Sequence, residues 1–206
     1  MLNALRSHFA EFGIIAAKGP QYVMTLVAEL RAGDQEGLPE TARRALLGFA
    51  PRLEALTAEI RAIVRQLLAW FRESDVSQRL STIPGVGVIT ATAMAAMIPD
   101  PSAFTSGRQF AAFLGLVPRQ NSSGGKDRLG RISKMGDGYL RRLLVNGATS
   151  VIRRIGQDDS LTGVWVRKLL ERKPARVVTV AIANKTARIV WAVLLRGDIY
   201  RRPAMG

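Results

Sequence analysis

Residues 176–196 read RVVTVAIANKTARIVWAVLLR, and the fold class turns on how they are taken. The first part, RVVTVAIA, is rich in β-branched side chains and taken alone would suit a strand. The apolar pattern nevertheless continues with helical spacing through Ile189, Val190 and Leu194, so the whole segment is expected to be a helix. No alternating strand and no hairpin turn stands out elsewhere, which makes the expected fold class all-α. Lys185 and Arg188 interrupt the apolar run, so it is a poor membrane span.

Helical periodicity extends outward from this segment. Helices are expected at about 137–156 and 160–172, and short apolar ones at 88–98 and 106–115, with Asp100-Pro101-Ser102 as a stop and start signal. Residues 118–136 are rich in Gly, Ser and basic side chains and read as a loop. Near the N-terminus, 2–15 and 21–31 read as helices separated by Gly19-Pro20. Between them and the apolar helices lies a seam of Leu46, Phe49, Leu53, Leu56, Ile60, Ile63, Leu67 and Trp70, spaced 3, 4, 3, 4, 3, 4, 3. That heptad serves either one stripe of a local helical hairpin or self-association through a coiled pair, and Pro51 should kink or restart its helix.

Composition excludes several chemistries. The 206 residues contain no Cys, which removes disulfides, thiolate metal sites and Cys nucleophiles. His8 is the only histidine, so a His-based metal cluster or a Ser-His-Asp triad within one chain is excluded too. The formal net charge is +14, and the first hundred residues balance ten basic against ten acidic side chains. The whole imbalance lies beyond Asp100, where a one-sign field of this size suits a polyanion, with nucleic acid the default partner. The opening MLNALRSHFAEFGII carries Arg6, His8 and Glu11 through its apolar stretch, unlike a signal peptide. A soluble, cytoplasmic protein without a membrane partner is expected.

Two stretches carry candidate chemistry. Residues 80–97, LSTIPGVGVITATAMAAM, read as a helix end, a tight Pro84-Gly85-Val86-Gly87 turn and a new helix start, the pattern of a helix-hairpin-helix element. Gly85 and Gly87 can take φ > 0 and lack a Cβ, so a phosphate could approach the backbone beside the positive end of the next helix. Such a grip on Gly85, Val86 and Gly87 would hold backbone without reading bases. The competing reading is a plain connector. Residues 114–136, LGLVPRQNSSGGKDRLGRISKMG, place Ser122 and Ser123 beside Gly124-Gly125 among Arg119, Lys126, Arg128, Arg131 and Lys134. These cations can neutralise phosphates. A serine here would need a base, a metal ion or transition-state cations to attack a phosphodiester, and residue chemistry alone favours a polyanion-binding loop.

The strings IPGVGVITATAMAAMIPDPSAFTSGRQFAAFLGLVPRQNSSGGKDRLGRISKMGDGYLRRLLVNGA and AIANKTARIVWAVLLRG resemble the C-terminal transposase domain of insertion-sequence family 110, closest to its 1111 subgroup. The likeness spans roughly 81–197, and the helices before it resemble the family's long helical middle region. It implies a middle region at 1–78 and a C-terminal transposase domain at 79–206, the latter with the helix-hairpin-helix element and the basic Gly-Ser loop. It further implies DNA transposition in which a serine attacks the strand and forms a phosphoserine link within a composite site. On this sequence that serine is Ser123, with Ser122 the alternative if the register slips by one. The family's RuvC-like nuclease domain, with its DEDD set of acids for Mg²⁺, has no counterpart in these residues. No metal is therefore expected on this chain, and alone it should bind DNA without cutting or joining it. DNA, a structured guide RNA and a second copy of the chain through the 46–70 heptad helix are the implied partners. A non-catalytic nucleic-acid-binding module using the same turn and loop is the alternative.

Overall fold

A computed structural model describes residues 1–34, 37–120, 129–158 and 160–202. The chain divides into two compact units, Met1–Gln66 and Leu67–Gly206. The first contains α1 (Leu2–Glu11), α2 (Pro20–Ala32), α3 (Glu40–Leu47) and most of α4 (Ala50–Glu73), within which the division falls. Pro20 occupies the first turn of α2, where its missing N–H removes no helical bond. Leu5, Phe9, Val23, Leu30, Leu46 and Leu53 close a small core. The heptad is thus split. Its helix ends at Leu47 and restarts at Ala50, with Pro51 in the first turn of α4. Leu46 and Leu53 serve the local core, whereas Leu56, Ile60 and Ile63 remain about half exposed.

The second unit is built on α10 (Ala175–Arg196). Val178, Ile182, Ala183, Ala187 and Val190 form its buried stripe, recurring at helical spacing. Against it pack α5 (Asp75–Ser81), α7 (Gly107–Phe113), α8 (Gly138–Arg154) and α9 (Leu161–Leu170), while α6 (Val88–Met97) packs on α5 and α8. Side-chain caps fix several helix starts: Ser74 for α5, Ser106 for α7, Asp137 for α8 and Ser160 for α9 each accept from a backbone N–H in the first turn. Among the described helices α10 alone is long and apolar enough to cross a bilayer, and here it is the core helix of its unit.

The all-α expectation holds with one correction. Residues 118–136, expected as loop throughout, contain a short antiparallel pair, β1 (Pro118–Gln120) and β2 (Leu129–Ile132), in the register Pro118 opposite Ile132 and Gln120 opposite Leu129. Strands this short show no alternation in sequence. Side chains from distant helices hold the segments that flank them instead.

Candidate nucleic-acid interface

The α5–α6 turn is anchored by Ile83 and Val86, both buried in the core, with the Val86 amide donating to the Ile83 carbonyl (2.9 Å). Gly85 has φ +84°, the left-handed conformation a glycine adopts freely. Gly87 differs from expectation. Its backbone is extended at φ −87°, ψ 178°, and it is the N-cap of α6. No side chain caps this end, and a Cβ on Gly87 would meet open space. The first-turn amides of α6 therefore stand at an exposed, positively polarised helix end. At Gly85 the space beside the Cα is filled by α8, so its lack of a Cβ serves helix packing.

Two helix side chains root the hairpin in the second unit, and a third, from β1 itself, ties its arms together. Asn184 of α10 donates through Nδ2 to the Leu116 carbonyl (3.1 Å). Arg141 of α8 donates through Nη1 to the carbonyls of Leu114 (3.0 Å) and Met135 (3.1 Å), clamping the two arms where they leave the core. Arg119 on β1 donates to the Ser133 carbonyl (3.2 Å). Arg119, Arg131 and Lys134 are all exposed on this scaffold. Residues 121–128 join the strands, so Ser122, Ser123, Lys126 and Arg128 lie outside the described residues.

The hairpin and the turn are both mounted on α8, at Arg141 and Gly147. Six residues separate these points, about 9 Å of axial rise and about 120° around the helix. Different faces of one helix thus carry the two predicted phosphate elements.

Sequence reasoning missed a third feature, a groove of about 1850 Å³ along the outer face of α10. Arg131 and Lys134 of the hairpin line it; Arg119, Gly85, Val86 and Gly87 do not. Further cations come from α7 (Arg108), α10 (Arg176, Lys185, Arg188, Arg196) and the tail (Arg201), and among the described residues Asp198 is the one carboxylate in the lining. Eight cations against one acid give the groove a strongly positive field. The amide of Tyr200 donates to Thr82 Oγ1 (2.9 Å), which holds the tail end of the groove close to the start of the α5–α6 turn. Lys185 and Arg188 carried the signal in sequence, since they interrupt an apolar helix with cations one turn apart. Among the described residues no group of three or more His, Cys, Asp or Glu side chains is placed to hold a metal ion.

Residues 77–161, from α5 to the start of α9, match the family model described as Transposase IS116/IS110/IS902 family. The chain is 44% identical over 202 residues to a Pseudomonas aeruginosa protein named "Probable family 20 transposase", covering 98% of this chain and 60% of that protein. It is 35% identical over 201 residues to the transposase for insertion sequence element IS1111A of Coxiella burnetii, with 98% and 55% covered. To the IS1328 transposase of Yersinia enterocolitica it is 36% identical over 200 residues, with 97% and 59% covered. The chain thus spans between half and three fifths of the length of these relatives. With the family's own model matching across the uncapped turn, the cationic hairpin and α8, the chain belongs to the IS116/IS110/IS902 transposase family.

Proposed function

We propose that this segment is the DNA-binding, serine-bearing part of a DNA transposase. The observation that carries the reading is that the family match at 77–161 takes in both the uncapped α6 N-terminus and the hairpin with Arg119, Arg131 and Lys134. Helix-end amides and flexible cations both favour phosphate oxygens, contacts that position a protein on DNA without themselves carrying sequence information. Duplex DNA is held at these two elements, and a structured guide RNA is held through the same phosphate chemistry. The exposed Leu56, Ile60 and Ile63 of α4 pair two copies of the chain.

Ser123 is the nucleophile, with Ser122 the alternative, in a composite site. Its hydroxyl oxygen bonds phosphorus as the bridging bond to one deoxyribose breaks. The proton that serine loses balances the one gained by the departing sugar hydroxyl. A serine hydroxyl is weakly nucleophilic when protonated, so charge developing on the phosphoryl oxygens has to be stabilised. Hairpin cations supply part of that. In this reading the acids that hold Mg²⁺ belong to the family's acid-bearing domain.

The test uses a transposase in which this segment is joined to the family's acid-bearing domain. Ser123→Ala should abolish the covalent protein–DNA adduct and strand transfer while DNA binding persists. The 206-residue chain alone should bind element-end DNA and form no adduct. Strand transfer that survives Ser123→Ala and Ser122→Ala would favour the non-catalytic binding module.

A further inference from the structure

We propose that the groove along α10 holds an unpaired strand of nucleic acid, bases against the helix and phosphates against the surrounding cations. This rests on the nucleic-acid reading of the same unit and names the form of the ligand. A helix that buries one stripe ordinarily turns a polar face outward. Away from its buried stripe, α10 instead presents Val177, Val180, Ala181 and Ala192 to the groove between Asn184, Lys185 and Arg188, with Val177 left 52% exposed. Duplex DNA keeps its apolar base faces inside the stack and offers phosphate and sugar, which an apolar floor does not suit. Unpaired bases offer flat apolar faces, and burying them removes apolar surface from water on both sides.

Two aromatic side chains strengthen the choice. Trp165 of α9 lines the groove with Lys185 Nζ over its ring, 4.7 Å from the centroid, which holds this cation at the groove wall where it can meet a phosphate. Trp191 also lines the groove, and its indole N–H donates to the Pro101 carbonyl (3.0 Å), so its polar edge is satisfied within the fold. Arg176, Arg188 and Arg196 stand along the same helix and make no ion pair with any described carboxylate. From Val177 to Arg196 the helix rises about 28 Å, room for about eight nucleotides of a stacked strand at roughly 3.4 Å each.

The experiment compares the whole chain's affinity for three probes: oligothymidylate of about ten nucleotides, an abasic strand with as many phosphates, and a duplex. Oligothymidylate should bind about tenfold more tightly than the abasic strand and quench tryptophan fluorescence. Val180→Glu should remove that preference, weakening oligothymidylate binding more than duplex binding, with helix content checked by circular dichroism. Equal affinity for oligothymidylate and the abasic strand would overturn the inference while leaving duplex binding, and the proposed function, intact. Failure of the native chain to bind duplex overturns the duplex reading instead. If Val180→Glu does not fold, the base preference and quenching of the native chain still decide.

Discussion

Gly85 and Gly147 meet backbone to backbone. A Cβ on Gly85 would stand 2.9 Å from the Gly147 carbonyl oxygen and from Val151 Cγ2, and a Cβ on Gly147 would overlap the Gly85 carbonyl oxygen. The turn therefore rests directly on α8. Gly147→Ala should lower stability by about 1–3 kcal/mol through overpacking, although alanine by itself favours a helix interior. Chemical denaturation measures this, and a stabilised variant would show that the packing there yields easily.

At Gly87 the expected signs oppose one another. Its backbone already has N-cap geometry with open space beside it, so Gly87→Asp supplies the missing cap. Stability should rise by a few tenths of a kcal/mol, roughly the difference between glycine and aspartate caps. The same carboxylate would occupy the amides and repel a phosphate, so duplex affinity should fall. Thermal melting and a binding titration on one preparation test both signs.

Phosphate binding by the hairpin predicts a steep salt dependence. Replacing Arg119, Arg131 or Lys134 singly by alanine should reduce the log–log slope of duplex affinity by about 0.9 for each phosphate that is no longer neutralised. A slope unchanged in all three variants would remove the hairpin from the duplex interface.

How far the sequence discloses this arrangement depends on how local the cause is. The helices are legible because 3.6-residue periodicity and caps such as Ser106 and Asp137 act within one turn. The strands are not, because the segments flanking β1 and β2 are held by Asn184 and Arg141, and the Asn184–Leu116 bond spans 68 residues. Gly85 looks like a ligand's approach until Gly147 is beside it. The groove needed α10's second face, which shows in sequence only as Lys185 and Arg188 within an apolar run. Ser122 and Ser123, with Lys126 and Arg128, fall in the stretch joining the strands, outside the described residues.

Acid should weaken the entry to α9. The carboxylate of Asp158 is held below the usual range first by the Ser160 hydroxyl, then by the Ser160 amide (3.0 Å), with Arg202 and Arg167 adding to the effect. A depressed value means the stabilisation is fully present above the unfolded carboxyl pKa of about 3.9 and is lost as pH falls through the lower folded value. Asp158→Asn should therefore be less stable at neutral pH. Its deficit should shrink as pH drops below that of an ordinary carboxyl, which thermal melting across pH checks.

Ile60 and Ile63 are 53% and 57% exposed on the heptad face of α4. Pairing of two chains there predicts that Ile60→Glu with Ile63→Lys lowers the mass seen by light scattering while helix content is kept. A native chain that is monomeric at every concentration would remove this face as a dimer interface.

The position of α10 in the chain also sets the timing of folding. It supplies the buried stripe for α5, α7, α8 and α9, yet it follows all of them in sequence. Its longest ties, Trp191 to Pro101 and Asn184 to Leu116, span 90 and 68 residues. The ribosome releases α5, α7, α8 and α9 with the faces that pack on α10 uncovered and adds α10 afterwards. At about 5–20 residues per second that interval lasts roughly 5–20 s, during which the nascent unit has only contacts such as those of α6 with α5 and α8 to close.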